Sequence, residues 1–406
     1  MDLAIRPPVW VLLTLPAHEP KGELIFPLQP LHAHGSCIVE CPNSDLLTCW
    51  YIGSGERTAD DVKIMGARMK KGSTMWSEPF LMADTPGFPD CNACMVVDPN
   101  KRLWLFWPVI LDNHWESAIT KYKVSADYQR PGPPRWIEEK DLLLKPGPEF
   151  QATVERDLEK QWNPYTQLAI RSGNEEKLIK FLGHLHEISK NTLQQRLGWM
   201  PRVHPYILQR REGPRLIVPL YSDAFDFSLM ALTDDWGQNW KASAPLVGPG
   251  NVQPSIVQRK DGTLVAFFRD NGPPPKRVLV SESNDDGLTW SLAHDIDLPN
   301  PGSGLEAIVL KSGRWLMIYN DTELGRHSLA VSLSEDEGKT WQFTKHLERD
   351  EERSGGGSYS YPSVIQAKNG ALHATYSFTP PRNAGATKQG ESIKHVQFTE
   401  DWILGK

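Results

Sequence analysis

The sequence lacks long basic runs, long apolar runs and any recognisable membrane anchor. Its formal net charge is −6, and no cluster of lysine and arginine is present to hold a nucleic-acid backbone. No apolar stretch reaches the ~18 residues that a membrane-spanning helix needs. The apolar segment Val9–Leu15 is short and lacks the basic start and small-residue cleavage site of a signal peptide. We therefore expect no nucleic-acid or membrane partner, and a cytoplasmic protein, or a secreted or periplasmic one if the natural chain is longer.

Cysteines are few, and the 5 present lie in the first quarter of the chain. An odd number confined to one region does not indicate a disulfide framework. Cys91 and Cys94 have CxxC spacing, but no second such pair follows to complete a zinc site. No calcium-ligand spacing is present either. We expect small buried residues on strands, no metal and no other cofactor.

Proline, glycine and tryptophan are abundant, with 33 Pro, 31 Gly and 15 Trp, which is typical of a protein of short strands and turns. A turn motif of the form S-x-D-x-G-x-T-W recurs. Its copies are Thr233–Trp240 (slightly relaxed), Ser283–Trp290 and Ser334–Trp341. The tryptophans are 50 and 51 residues apart, the length of one four-stranded propeller blade. In each copy the polar side chains can bond the turn backbone and the glycine supplies a positive φ, so the motif predicts a structural role.

A strand–turn–strand pattern alternates with the turn motif. Clear copies begin at Pro254, Leu305 and Pro362, and weaker copies begin near Ser36, Ala93 and His204. This count predicts an all-β fold, a single six-bladed β-propeller over residues 1–406. The N-terminal segment, including Val9–Leu15 and Leu24–Leu28, is a candidate closing strand for the last blade. Residues 148–197 have helical spacing and predict a partly helical insertion between blades two and three.

These repeats resemble the sialidase (neuraminidase) superfamily, whose propellers carry BNR or Asp-box repeats. The resemblance covers most of the chain outside the insertion. It implies a glycoside hydrolase of the sialidase type, an exo-glycosidase that cleaves the bond to an acidic or polar sugar. In that family a tyrosine nucleophile precedes the turn glycine of the last blade by nine residues. Tyr361 stands nine residues before Gly370, so the resemblance implies that Tyr361 is the nucleophile.

Three arginines and an aspartate complete the implied site. Sialidases bind the substrate carboxylate with arginines, and Arg269 and Arg326 match two of those positions. The segment from Gly55 to Asp61 resembles the loop that carries a further arginine and the acid/base. The resemblance therefore implies that Arg57 contacts the substrate and that Asp60 or Asp61 is the acid/base.

Two positions depart from the family pattern. His34 stands where the first arginine of the carboxylate clamp is expected, and an imidazole cannot replace a bidentate guanidinium. Gln253 stands where a glutamate activates the tyrosine, and an amide cannot accept the phenol proton. Glu306 is the candidate to substitute for that glutamate. The sequence thus predicts a divergent member of the superfamily.

Two other functions remain open. One is a polysaccharide lyase acting on a uronate by β-elimination, with His34 or His32 as base, Arg269 as neutraliser and Tyr361 as acid. The residues predicted to line its sugar cleft are Trp107, His114, Trp115, Trp199 and His204. The other is a glycan-binding propeller without catalysis, which the two departures favour. All three functions predict a carbohydrate partner, and the sequence leaves the oligomeric state open.

Overall fold

The computed structural model describes residues 19–160, 173, 175–350, 355–382 and 390–406. Within these ranges the strands form six four-stranded sheets, all paired antiparallel. Each sheet is one blade, and the first strands of neighbouring blades contact one another around a central channel. The predicted six-bladed β-propeller is therefore confirmed.

In each blade the strands run from the channel outward in chain order, and the last blade closes with the first strand of the chain. Blade one comprises β2 (His32–Glu40), β3 (Leu46–Gly53), β4 (Lys63–Met69) and β5 (Phe80–Ala83). Blade two comprises β6 (Cys94–Val97), β7 (Leu103–Ile110), β8 (Ala118–Ser125) and β9 (Glu138–Asp141). Blade three comprises β10 (Tyr206–Leu208), β11 (Arg215–Ser222), β12 (Phe227–Thr233) and β13 (Lys241–Ala242). Blade four comprises β14 (Asn251–Gln258), β15 (Leu264–Asp270), β16 (Arg277–Ser283) and β17 (His294–Pro299). Blade five comprises β18 (Glu306–Val309), β19 (Trp315–Tyr319), β20 (Ser328–Ser334) and β21 (Gln342–Arg349). Blade six comprises β22 (Ser358–Gln366), β23 (Leu372–Thr379), β24 (Ser392–Phe398) and β1 (Lys21–Leu24).

The N-terminal strand closes the propeller. β1 pairs with β24 in a register that runs from Lys21 opposite Gln397 to Leu24 opposite Lys394. This pairing covers the outer edge of β24, which would otherwise present unpaired backbone groups. The expectation that the N-terminal segment supplies a closing strand is confirmed, but the strand is Lys21–Leu24, and Leu24–Leu28 contributes only its first residue. Val9–Leu15 lies outside the described residues.

The turn motif holds the hairpin that ends β16. The Gly287 backbone N–H donates to Ser283 Oγ at 3.0 Å, and the Thr289 N–H donates to Asp285 Oδ1 at 2.9 Å. Gly287 has a φ of +85°, in the left-handed region where a side chain would be strained. The Trp290 indole donates to the Gly287 carbonyl at 3.1 Å and packs against the blade. These contacts give the motif a structural role.

A partly helical segment separates β9 from β10, which confirms the predicted insertion between blades two and three. Its helices are α1 (residues 150–160 in the described part), α2 (Glu175–Ser189) and α3 (Thr192–Arg196). Phe150 anchors α1 against blade three through Phe225, with ring centroids 5.4 Å apart. A 3-10 helix (Trp115–Ser117) follows β7, and α4 (Glu400–Leu404) ends the chain. Among the described helices, none is long and apolar enough to cross a membrane.

Candidate active site

Two inner strands present their functional side chains from bulges. The ladders of β14 and β22 shift register around Gln253 and Tyr361, whose φ angles are +56° and +54°. A left-handed backbone is costly for residues with a Cβ and re-aims the side chain. Each is followed by a proline, Pro254 or Pro362, which has no N–H to contribute to a ladder. The local sequence thus turns both side chains into the end of the channel.

A cavity of about 400 Å³ lies at this end, where the inner strands begin; we call it the upper cavity. Its lining residues come from all six blades, either from their strands or from the loops that join those strands. They are His32, Ala33, His34, Glu56, Asn92, Trp115, Tyr221, Asp223, Gln253, Arg269, Asn271, Arg326, Ser358, Ser360, Tyr361, Ser377, Thr379 and Glu391. Of the residues singled out from the sequence, seven meet here: His32, His34, Trp115, Gln253, Arg269, Arg326 and Tyr361.

The Tyr361 hydroxyl is held by two donors. Arg269 Nη1 donates to it at 2.7 Å and Gln253 Nε2 donates at 3.1 Å. Burial by itself raises the pKa of the phenol, but the charges of Arg269 and Arg326 and the Gln253 hydrogen bond lower it below its ordinary value. Gln253 therefore does not take the phenol proton; it stabilises the oxygen once the proton has gone.

The surroundings of the Tyr361 ring are cationic. The guanidinium groups of Arg202 and Arg326 lie 4.9 and 5.3 Å from its ring centroid. The His34 ring lies 4.2 Å from the same ring. Burial, together with the nearby charges of His32 and the arginines, holds the pKa of His34 well below its ordinary value, so this imidazole is neutral. Arg202 was missed from the sequence because it lies on the segment before β10, outside any recognised pattern.

Asp223 supplies an acidic group that keeps its proton to a higher pH than an ordinary aspartate does. It follows β11 and lines the upper cavity, a position that the sequence pattern did not single out. Burial raises its pKa to about 6, although the charge of Arg269 opposes the rise. The signal that could have found it is its place directly after the second strand of its blade, the place that Asn271 occupies in blade four.

The two other carboxylates of the lining are already engaged. Glu56 accepts a hydrogen bond from the Tyr51 hydroxyl at 2.6 Å. Glu391 pairs with His32 Nδ1 at 3.0 Å and accepts from the Ala33 N–H at 3.0 Å. Burial lowers the pKa of His32, but the Glu391 contact outweighs it and raises that pKa above its ordinary value. These contacts fix the start of β2 beside the cavity.

The two aspartates predicted as acid/base lie outside the cavity lining, although Glu56 of the same loop belongs to it. Asp60 and Asp61 are exposed; Asp61 accepts from the Ser54 N–H at 3.0 Å, and Asp60 is 3.4 Å from the Asn113 amide nitrogen. Arg57 reaches the rim, where its guanidinium stacks on Trp115 at 5.4 Å. The structure thus does not bring these two aspartates together with Tyr361, because the polar loop folds back on itself.

Glu306 and His204 lie elsewhere too. Glu306 does not contact the Tyr361 hydroxyl; it pairs with His204 Nδ1 at 2.5 Å. Gly304, two residues earlier, holds in blade five the position of Tyr361, so Glu306 points into the channel one level further along. Of the other aromatic and histidine candidates, Trp107 and Trp199 are buried in the core and His114 is exposed outside the lining.

Several buried polar atoms of the cavity are without hydrogen-bond partners among the described residues. They are Asn92 Oδ1, Gln253 Oε1 and Arg269 Nε. Buried polar groups are rarely left unpaired, so these atoms suit a polar ligand. Within the described ranges, no three histidine, cysteine or acidic side chains are grouped as a metal ion requires.

The BNR repeat-like domain family model matches residues 44–164 and 199–374, well over half of the chain. The chain belongs to this family. Its repeats and its propeller confirm the resemblance to the sialidase superfamily that the sequence indicated. No protein of curated function matches the chain significantly.

This BNR family member is also similar to solved propeller structures. A protein of unknown function from Dyadobacter fermentans matches with a TM-score of 0.65 and 16% identity over 93% of this chain and 98% of that one. A leech intramolecular trans-sialidase complexed with 2,7-anhydro-Neu5Ac matches with a TM-score of 0.67 and 12% identity over 95% and 71% of the chains. Trypanosoma rangeli sialidase in complex with the inhibitor DANA matches with a TM-score of 0.63 and 14% identity over 96% and 61%. At these identities the likeness establishes the fold alone.

Proposed function

We propose that this protein is a sialidase-like exo-glycosidase that cleaves the bond to an acidic sugar bound in the upper cavity. The observation that carries the proposal is the Tyr361 hydroxyl, which accepts hydrogen bonds from Arg269 and Gln253 at 2.7 and 3.1 Å. A phenol held this way is activated as a nucleophile without a neighbouring glutamate. The cavity of about 400 Å³ suits a single terminal sugar.

The substrate's anionic group meets two arginines. Arg326 lines the cavity beside Tyr361, and Arg269 keeps its Nε free of partners among the described residues while its Nη1 holds the phenol. A guanidinium donates in a fixed fork, so Arg269 can serve the nucleophile and the substrate together. Because His34 replaces the third arginine, the clamp has two arginines and differs from that expected of an ordinary sialidase.

Asp223 is the proton donor in this scheme. Tyr361 reacts as the phenolate, its proton having passed to solvent. Its oxygen attacks the anomeric carbon, the bond to the leaving oxygen breaks, and Asp223 gives that oxygen its proton. The resulting carboxylate then takes a proton from the water that releases the sugar from Tyr361. An acid needs its proton at the working pH, and the pKa of Asp223, raised by burial to about 6, meets this need in mildly acidic solution.

A uronate lyase is the second candidate, and His34 is the observation that favours it. Its imidazole is buried, lies 4.2 Å from the Tyr361 ring and is kept neutral because burial and nearby cations lower its pKa. A neutral histidine beside cations can take the proton at C5 while Arg269 neutralises the carboxylate and Tyr361 serves the leaving oxygen. Only the products separate this reaction from hydrolysis.

Product analysis on a panel of acidic oligosaccharides tests both schemes. We expect a saturated free monosaccharide from the non-reducing end, identified by mass and chromatography. An unsaturated uronate, which absorbs in the ultraviolet, would replace the hydrolase proposal with the lyase. Binding without turnover of any oligosaccharide would overturn both and favour a non-catalytic glycan-binding propeller. Tyr361→Phe is the control, since both reactions use its hydroxyl.

A further inference from the structure

A second cluster of reactive side chains lies in the channel below Tyr361. It consists of Cys37 on β2, His204 before β10 and Glu306 on β18. His204 Nε2 is 3.3 Å from Cys37 Sγ, and His204 Nδ1 is 2.5 Å from Glu306 Oε1. The three residues form a continuous thiol–imidazole–carboxylate chain that the proposed glycosidase does not use.

The contacts of His204 fix its protonation. Its Nδ1 faces Glu306, and its Nε2 faces both Cys37 and the Ile38 carbonyl, the latter at 2.8 Å. Since every neighbour of the ring nitrogens is an acceptor, both nitrogens carry hydrogens and the ring is an imidazolium. Burial by itself lowers the pKa of His204, but Cys37 and Glu306 hold it well above its ordinary value.

Cys37 is the one cysteine of the five poised as a thiolate. The Met95 N–H points at its sulfur at 3.2 Å. Burial raises the pKa of a thiol, but the hydrogen bond with Cys49 and the charge of His204 hold the pKa of Cys37 well below its ordinary value. The other cysteines behave in the opposite way, because burial raises the pKa of each of them: Cys41, Cys49, Cys91 and Cys94.

The remaining groups around the sulfur balance this charge. Glu306 opposes the thiolate but is neutralised by His204 and by the Val364 N–H, which donates to its Oε2 at 2.8 Å. Arg202 adds a second positive charge near Glu306 and Cys94. Two cations, His204 and Arg202, therefore accompany two anions, Glu306 and the Cys37 thiolate. The thiolate thus adds no uncompensated charge to the interior.

A cavity of about 490 Å³ leads to the cluster; we call it the lower cavity. Its lining includes His204, Glu306, Ser255 and Val364, which lie further along the inner strands than the lining of the upper cavity. It therefore opens toward the other end of the channel. The His204 side chain is 19% exposed, so the cluster reaches this cavity through the imidazole, with Cys37 directly behind it.

Cys49 stands directly opposite Cys37 in the antiparallel pairing of β2 and β3. Directly opposite residues have Cα atoms about 4.5–5.5 Å apart, within the range that a disulfide spans. Cys49 helps to lower the pKa of Cys37, while burial and Cys37 raise the pKa of Cys49. One sulfur is a nucleophile and its neighbour is a protonated thiol within reach.

We propose that Cys37 is a peroxide-reactive thiolate that small hydroperoxides reach through the lower cavity, and that Cys49 captures the oxidised sulfur as a disulfide. Cys37 attacks the terminal oxygen of the hydroperoxide, an S–O bond forms, the O–O bond breaks, and His204 protonates the departing alkoxide. The Cys49 sulfur then attacks the sulfenic acid, and hydroxide leaves with the Cys49 proton as water. Overall two thiols and one hydroperoxide give one disulfide, one alcohol and one water.

The test oxidises the full chain with limiting hydrogen peroxide, blocks remaining thiols after denaturation, and quantifies every cysteine peptide by mass spectrometry. We expect Cys37 to be oxidised at least about tenfold faster than Cys41 and Cys91, because thiolate content sets the rate. A peptide pair joined between Cys37 and Cys49, lighter by two hydrogens, is the expected product. Equal rates at all five cysteines, or first oxidation at Cys41, Cys91 or Cys94, would overturn the proposal.

Two variants sharpen the assignment. Cys49→Ser should leave a sulfenic acid at Cys37 that a dimedone probe traps, and His204→Gln should slow Cys37 oxidation by about tenfold. His373→Gln is the matched control, since this buried histidine pairs with His395 in blade six, and it should leave the rate unchanged. Oxidation of Cys37 at the wild-type rate in folded His204→Gln would contradict the relay. If that variant does not fold, the comparison among cysteines in the unaltered chain still decides.

Discussion

The upper cavity and the Cys37 cluster lie at different depths of the same channel, yet they handle charge in opposite ways. Around Tyr361, polar atoms such as Arg269 Nε and Gln253 Oε1 lack partners among the described residues. In the cluster below, His204 meets an acceptor at each ring nitrogen and Glu306 is bonded at both oxygens. Buried polar atoms without hydrogen-bond partners suit a ligand. Buried charged pairs whose hydrogen bonds are all made within the protein hold the fold or tune the pKa of a buried group.

After the loss of the Tyr361 oxygen, the largest effect should come from Asp223→Asn, which removes the proposed proton donor from the upper cavity. Turnover should fall about 10²–10⁴-fold, the usual contribution of general acid catalysis. In the wild type, the acid is protonated below its pKa of about 6, so activity that depends on it should fall as the pH rises through that value. Steady-state rates across pH measure both effects.

Asp226→Asn is the matched control for that experiment. Asp226 lies in the same loop, its pKa is also raised by burial, and it accepts from the Asn271 amide at 2.6 Å, but it does not line the cavity. We expect near wild-type turnover with an unchanged pH limb. An equal loss in both variants would mean that the loop, and not the proton of Asp223, supports turnover.

A different response is expected from Glu306→Gln, because it breaks the buried, hydrogen-bonded pair of Glu306 and His204. Leaving His204 without its carboxylate should lower the free energy of unfolding by about 3–5 kcal/mol. The folded-state pKa of Glu306 is lowered from 4.5 because His204 outweighs burial, so this stability is present above 4.5 and is lost as the pH falls. Denaturant unfolding at neutral and acidic pH measures it, and the variant should show less acid sensitivity than the wild type.

Glu282→Gln provides the comparison for that loss. Glu282 pairs with Arg259 at 2.6 Å on the surface of blade four, where such a pair contributes about 0–1 kcal/mol. A similarly small loss in the free energy of unfolding for Glu306→Gln would contradict the view that Glu306 and His204 form a buried pair with all their hydrogen bonds made.

The smallest effect should follow from Ser334→Ala, in a turn motif far from both the upper cavity and the Cys37 cluster. Ser334 Oγ accepts from the Gly338 N–H at 2.8 Å and donates to Asp336 at 2.8 Å. Its loss should lower the free energy of unfolding by about 1 kcal/mol and leave turnover unchanged. Thermal unfolding and a rate assay check this, and a large loss of turnover would give the motif a role beyond structure.

The sequence predicted the fold and one part of the site for the same reason. The turn motifs fix the blade period, and counting from a turn glycine then fixes residues on the inner strands, which is how Tyr361 and Gln253 were found. Asp223 lies directly after a strand in a loop that carries no turn motif, so it was missed. Glu306 was the candidate to replace the missing glutamate but pairs with His204 instead, since which strands meet in the channel depends on the closure of the whole propeller. The roles of the site residues, and the single-domain extent with an insertion at 148–197, remain predictions.

The central claim is that Tyr361 makes the upper cavity an active site. Tyr361→Phe removes only the oxygen that Arg269 and Gln253 hold and keeps the ring between the arginines. On the best acidic oligosaccharide from the panel, turnover should fall at least about a thousandfold while substrate affinity changes little. Turnover within a few fold of the wild type in the folded variant would contradict the account.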